Sequence, residues 1–282
     1  MDRTVGIVGA GSMARALVMG WVGARSELPA GSVWACNRSR DDRLDALAAM
    51  GVRVTRDKGQ LCEAAGVIVL AVKPADAPAA LRALAPHLSP ERHLVISLVA
   101  GLPSAAITQL CGLDALPVVR AMSNTPSAVA SAATAIAPGS AASAAHMETA
   151  CALLSAVGDV ITVAEEDLAA VTALSGSGPA YVYVLMEALH QAAGRLGLSA
   201  EVSRRLTAQT VLGAAKLALV SEHAPDELVR QVASPGGTTV AALEVLQARG
   251  FSQALVDAVV RAAERAGELA LAAAATPGPA GE

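Results

Sequence analysis

Aromatic side chains are nearly absent: two Trp, two Tyr and one Phe make up 2% of 282 residues. That leaves no stacking platform for single-stranded nucleic acid. Charge is scarce as well, at 16% of residues, and 21 Lys and Arg against 25 Asp and Glu leave a net −4. No positive field holds nucleic acid or an anionic membrane. The four cysteines, Cys36, Cys62, Cys111 and Cys151, form no CxxC pair and no disulfide framework. They read as small buried thiols in a reducing cytoplasm. Five histidines are scattered without HExxH spacing, so no metal site is expected. The chain has no G-x-S-x-G elbow, which removes the main support for hydrolase chemistry. Two apolar stretches approach targeting or membrane length. Met1–Ala24 is interrupted by Arg15, and Leu94–Leu113 contains Ser97, Gly101, Pro103, Ser104, Thr108 and Gln109. The second reads as strand, turn and helix. The expectation is a soluble cytoplasmic protein without a membrane partner.

What is abundant is small apolar side chain. Hydrophobic residues reach 54%, mostly Ala, Val and Leu, which excludes disorder as the overall state. The length suits two domains. In the first half, apolar runs alternate with helical patterns. Strands are predicted at Thr4–Val8, Ser32–Cys36, Val67–Val72, Leu94–Leu98 and Pro117–Ala121. Helices are predicted at Ser12–Val22, Asp41–Met50, Asp76–Leu84 and Pro103–Leu110. Continuous apolar strands are buried on both faces, which implies a doubly wound parallel sheet. Thr134–Ala137 and Asp159–Val163 read as later edge strands around a helix at about 140–157. After about residue 165 only helices are predicted. Ser177 opens one, with Pro179 in its first turn; Ser199 caps another that runs to Val220. Pro225–Val232, Thr238–Arg249 and Phe251–Ala275 follow. The organisation is thus α/β: a Rossmann-like domain over 1–165, an all-helical domain over 166–275 and a disordered Pro/Gly-rich tail over 276–282. Thr207–Val220 is apolar on nearly every face, so burial by a second copy is expected.

Gly9-Ala10-Gly11-Ser12-Met13-Ala14 places G-x-G-x-x-A between a strand and a helix. Gly9 permits the tight turn, Gly11 lets backbone approach a pyrophosphate, and Ala14 allows helix–strand contact. The N–H groups that open the helix, from Ser12 and Met13, then face phosphate. At the end of the second strand an NAD enzyme usually presents a carboxylate. This chain has Asn37-Arg38-Ser39 instead, donors that suit a 2′-phosphate. NADPH is favoured, and NADH stays open because Asp41 and Asp42 follow closely. Val72-Lys73-Pro74 and Ala100-Gly101 end further strands, where a doubly wound sheet lines its ligand crevice. In the helical half, Ser234-Pro235-Gly236-Gly237-Thr238-Thr239 puts two glycines and two hydroxyls at a helix start. That suits a carboxylate, although a threonine cap alone would also place Thr238 or Thr239 there.

Taken in order, Gly9–Ala14, Asn37–Ser39, Ala71–Pro74, Ser97–Gly101, Arg120–Pro126, Ala173–Tyr181, Gln209–Leu217 and Ser234–Leu243 resemble the pyrroline-5-carboxylate reductases. The resemblance implies NAD(P)H-dependent reduction of a small cyclic imine, 1-pyrroline-5-carboxylate, to L-proline. It implies a homodimer through the helical domains, and rings of such dimers. It carries Thr239 over as the catalytic hydroxyl at the ring nitrogen. The carboxylate falls to the backbone of Gly236, Gly237 and Thr238 beside Ser234, and Glu222 to a position near the substrate. Two residues depart from the family's pattern. Ser123 stands where a proline is usual, which is expected to loosen a turn. Lys58 stands where an asparagine often meets the adenosine ribose. Two other readings stay open at this point: a different NADP-dependent imine or β-hydroxyacid oxidoreductase, and a non-catalytic NADPH-binding protein.

Overall fold

A computed structural model describes residues 4–23, 28–38 and 42–275. Four strands run β1 Val5–Val8, β2 Val33–Cys36, β4 Val67–Leu70 and β5 Leu94–Ser97, with β3 Arg53–Thr55 between the second and third of these. β1, β4 and β5 are buried at every position. β6 Val118–Met122, β7 Ala132–Pro138 and β8 Gly158–Thr162 complete one sheet in the order β3-β2-β1-β4-β5-β6-β7-β8. Helices α1 Ser12–Val22, α2 Asp42–Ala48 and α6 Ala144–Leu154 bury Leu17, Trp21, Leu44, Leu47 and Leu154 against one face. Helices α3 Lys58–Ala64, α4 Ala77–Leu84 and α5 Ser104–Cys111 bury Leu61, Leu81, Leu84 and Ile107 against the other. Each such side chain contributes about 1.5–3 kcal/mol of burial. Trp21 also donates its indole N–H to the Leu153 carbonyl at 2.8 Å, so its one polar atom is paired.

Three expectations are corrected. The sheet is mixed: β7 runs antiparallel to β6, while β8 is parallel to β7. The Ser123–Ser131 connection is too short for a crossover helix, so the chain must return antiparallel. β3 and α3 were not predicted. A three-residue strand with Val54 as its one apolar residue carries no period to read. Ser177 does not cap a helix. It lies in the helical region and donates its N–H to Thr172 O at 2.8 Å. It thus continues a π-turn, Thr172–Gly176, that joins α7 Leu168–Val171 to α8 Gly178–Arg195. The predicted tail, 276–282, lies outside the described residues.

The chain divides into two compact units. One holds the described residues of Met1–Ser177 and Ala262–Glu282, the other Gly178–Arg261. The second contains α8, α9 Ala200–Val220, α10 Pro225–Val232, α11 Thr238–Ala248 and the start of α12 Phe251–Ala275. Within this unit large apolar side chains are exposed, among them Val184 at 72% and Leu219 at 85%. By length and composition, Glu165–Arg195 is apolar enough to cross a membrane.

Cys36, Cys62 and Cys111 are buried in the first unit and Cys151 is half-buried. Burial pushes the thiols of Cys62 and Cys111 up to about 11. In the native protein at pH 8, a thiol reagent such as dithionitrobenzoate should therefore label at most Cys151 quickly. The other three should react only on unfolding, and two or more fast thiols would show that this core opens.

Candidate active site

In the first unit, the carboxyl ends of β1, β2 and β4 surround a cleft of about 340 Å³. It sits where the strand order reverses beside β1, the usual ligand crevice of a doubly wound sheet. Gly9 makes the turn out of β1 with φ +110°, and a Cβ there would strike the Ala71 carbonyl. Its N–H donates to Cys36 O at 2.8 Å, which ties this turn to the end of β2. A Cβ on Gly11 would meet nothing within 4 Å, so open space lies beside the start of α1. That helix begins with no side-chain cap and no acid in its first turn. Uncapped N–H groups beside open space fit a phosphate. Ala14 is fully buried, as close helix–strand contact requires.

Gly9, Gly11, Asn37, Arg38, Val72 and Lys73 all line the cleft. Ser12 and Met13 open α1 without lining it, and Met13 accepts a contact from the Ser127 hydroxyl at 3.6 Å. Pro74 begins the short turn after Lys73. Ala100 and Gly101 lie outside the cleft lining, in the loop between β5 and α5. There Gly101 has φ +73° and α12 backbone passes close by. Ser39 lies outside the described residues. Sequence reasoning missed Arg43 and Asp76 as lining residues and treated Lys58 only as a departure. Among the described residues, the lining thus holds four cations, Arg38, Arg43, Lys58 and Lys73, and one carboxylate, Asp76. Arg38 lies 4.0 Å from Asp76, both well exposed. Burial raises the Cys36 thiol, and the nearby Lys58 ammonium opposes that rise.

The loop after β5 is held from behind. Glu165 accepts from the Ser104 N–H at 2.7 Å, the Ser104 hydroxyl at 2.5 Å and the Arg120 guanidinium at 3.2 Å. Burial lowers the pKa of Arg120, and Glu165 resists the fall. Nothing in the sequence pattern pairs residues so far apart. Asn124 has both ends of its amide engaged within the protein. It donates to Ser175 O and accepts from the Ala133 N–H, each at 3.0 Å. Ser123 is not loose as expected: it is buried and accepts from the Thr134 hydroxyl at 2.8 Å, across the antiparallel pair.

In the second unit, Ser234–Gly237 forms a tight turn. Gly236 has φ +71°, and Gly237 donates its N–H to Ser234 O at 2.9 Å. α11 then starts at Thr238 with no side-chain cap, so neither threonine serves as the cap that offered a simpler explanation. Thr239 is half-buried, while Ser234, Gly236 and Thr238 are exposed. Glu222 is exposed in the turn between α9 and α10. The turn thus offers backbone N–H groups beside two hydroxyls, a set suited to a carboxylate next to a polar ring atom.

Residues 165–269 match the family described as pyrroline-5-carboxylate reductase dimerisation. Residues 4–101 match the one described as NADP oxidoreductase, coenzyme F420-dependent. The chain is 42% identical over 268 residues to a pyrroline-5-carboxylate reductase of Pseudomonas aeruginosa, covering 94% of this chain and 96% of that one. It is 38% identical to pyrroline-5-carboxylate reductase 2 of Bacillus subtilis, covering 95% of each. A solved pyrroline-5-carboxylate reductase of Coxiella burnetii superposes with a TM-score of 0.89 at 39% identity, over 95% of this chain and 99% of that one. A Plasmodium falciparum pyrroline carboxylate reductase, solved with NADP bound, superposes with a TM-score of 0.84 at 26% identity, over 95% and 98%.

Replacing Glu165 by Gln leaves the largely buried Arg120 without its counter-charge and weakens two bonds to Ser104. We expect a loss of about 1.5–3 kcal/mol in chemical denaturation, the range for bonds to charged groups. Arg120→Met with Glu165→Met should recover most of it, because the uncompensated charge is then gone. No loss in Glu165→Gln would mean that this cluster does not hold the loop.

Proposed function

Because the chain belongs to the pyrroline-5-carboxylate reductase family, it is an NAD(P)H-dependent oxidoreductase that reduces the C=N bond of 1-pyrroline-5-carboxylate to give L-proline, and we propose which of its residues carry that reaction. When bound, the reduced nicotinamide cofactor supplies the hydride. Gly9, Gly11, Ser12 and Met13 hold its pyrophosphate. Asn37, Arg38 and Ser39 hold the 2′-phosphate end, and Val72, Lys73, Pro74, Ala100 and Gly101 border the rest. The uncapped start of α1 beside Gly11 supports this assignment.

Substrate falls to the turn before α11. The observation that carries this reading is the absence of a side-chain cap where two hydroxyls and two glycines meet. The substrate carboxylate takes the N–H groups of Gly236 and Thr238, with Ser234 beside them. Gly237 shapes the turn, since its own N–H is engaged within it. The Thr239 hydroxyl hydrogen-bonds the ring nitrogen and relays its proton, so that hydride meets an iminium carbon. Glu222 stands near the substrate. Catalysis is then mainly orientation, which lowers a barrier by up to about 7–11 kcal/mol in ideal cases.

The dimerisation-family match makes the chain a homo-oligomer. The dimer as its unit, and rings of dimers above it, are proposed from the apolar surface of the helical unit. The proposed boundary near residue 165 separates the cofactor domain from the helical one. Four free cysteines suit the proposed cytoplasmic location.

Thr239→Val keeps the shape and removes the hydroxyl. It should lower kcat/KM for the imine by about ten- to a hundredfold, with NADPH affinity unchanged. Thr238→Val should cost less. Near-normal turnover in Thr239→Val would reject the role and leave water as the proton source.

Light scattering on the full chain at micromolar concentration should give a dimer or larger. A monomer would reject the burial argument for the helical unit.

A further inference from the structure

We propose that Glu165 is a positioning residue for the reductase reaction. Together with Arg120 it fixes the Leu98–Pro103 loop, so that Ala100 at the tip offers a rigid backbone to the nicotinamide end of the cofactor. The proposal rests on the reading above that Ala100 and Gly101 border the cofactor, and adds what holds them in place.

The loop leaves β5 at the carboxyl edge of the sheet, one strand beyond β4. Its base is tied to that strand, since Leu98 donates its N–H to Leu70 O at 2.9 Å. Val99 and Leu102 are buried and join the apolar cluster under α3, α4 and α5. Between them the chain turns through Ala100 and Gly101. Gly101 has φ +73°, and the α12 backbone at Ala270 lies 3.5 Å from where its Cβ would stand. Gly101 is half-buried, and Ala100 is the exposed residue of the turn.

The chain then enters α5 at Ser104 without a local cap, because Pro103 holds the N-cap position and has no side-chain acceptor. Glu165, 61 residues later, supplies the acceptor. Its carboxylate takes the Ser104 N–H and hydroxyl at the end of the helix where the dipole favours negative charge. Arg120 holds that carboxylate from β6, 3.2 Å away. The arrangement is costly. The Arg120 side chain is only 12% exposed, and its buried Nε–H has no hydrogen-bond partner among the described residues. An unpaired buried donor is destabilising, and a buried ion pair adds little over apolar side chains of similar size. A serine at position 103 would cap α5 without burying a charge. What the ion pair supplies is position. A strand and the segment after β8 together set where α5 begins, and with it where the Ala100–Gly101 turn sits.

The test uses the full-length protein and compares Glu165→Gln with the double variant Glu165→Met, Arg120→Met. The double variant separates position from stability, because it removes the uncompensated charge and keeps the interior filled. It should bind NADPH about three- to tenfold more weakly by calorimetry, the cost of ordering a loosened loop on binding. It should bind 2′,5′-ADP, which lacks the nicotinamide end, within about twofold of the unaltered protein. Its kcat for the imine should fall by about ten- to a hundredfold, the scale of a displacement of about 1 Å. Hydrogen exchange of the 98–104 amides should quicken by about tenfold. Glu165→Gln should show the same losses in smaller measure. Retained 2′,5′-ADP binding shows that each variant is folded. Normal NADPH binding and kcat in a double variant of recovered stability would overturn the proposal and leave the cluster a structural one. Equal losses for NADPH and 2′,5′-ADP would overturn it as well, since the whole cleft would then be disturbed. Ala100→Glu tests the underlying reading separately: unchanged NADPH binding in that variant would show that the tip borders no cofactor, and the proposal would fall with it.

Discussion

The turn from β1 into α1 passes through a residue that admits no side chain. At Gly9 the backbone is left-handed, and any Cβ would collide with the Ala71 carbonyl. The same residue donates its N–H to the end of β2, while Ala71 donates to Val8 O at 2.9 Å. Three strand ends are thereby held within one backbone network. That closeness creates the cleft, sets the uncapped start of α1 beside it, and brings residues from β2, α2, α3 and the segment after β4 to its walls. An alanine at position 9 would remove the geometry on which each of those placements depends.

Around that turn the first unit separates two kinds of charge. Cleft cations stay half-buried or exposed, ready to meet an anion that brings its own charge. The ion pair of Arg120 with Glu165 is largely buried and neutralised internally, and it anchors the start of α5. A buried pair of this kind is weak support for stability but a strong constraint on position. Asn124 and Ser123 constrain the next loop similarly, through amide and hydroxyl bonds instead of charge.

The helical unit follows from the shortage of aromatics. Small side chains bury little area each, so helices built from Ala, Val and Leu need more neighbours to reach the same burial. In a single chain those neighbours are missing, and Val184, Leu219 and Val220 stay exposed. Glu165–Arg195, which includes Val184 and is apolar enough to cross a membrane, equally suits a partner helix of identical composition. The match to a dimerisation family over 165–269 agrees with the second explanation.

Some of this was written locally in the chain. Continuous apolar runs, G-x-G-x-x-A, and the Pro-Gly-Gly-Thr-Thr turn each occupy a few consecutive residues, so strands β1, β4 and β5, the Gly9 turn and the start of α11 were legible. The resemblance of those motifs, in order, also identified the family. Other features were not legible because they join residues distant in sequence or depend on direction. β3 is too short to carry a period, and the reversal at β7 depends on how far a nine-residue connection can reach. The Glu165–Ser104–Arg120 cluster, the engaged amide of Asn124 and the gathering of Arg43 and Lys58 beside Arg38 appear only in the folded chain. Sequence determines which side chains are apolar, charged or absent at each position. Only the tertiary structure decides which of them share a dielectric boundary and a neighbour, and electrostatics and hydrogen bonding act over those few ångströms.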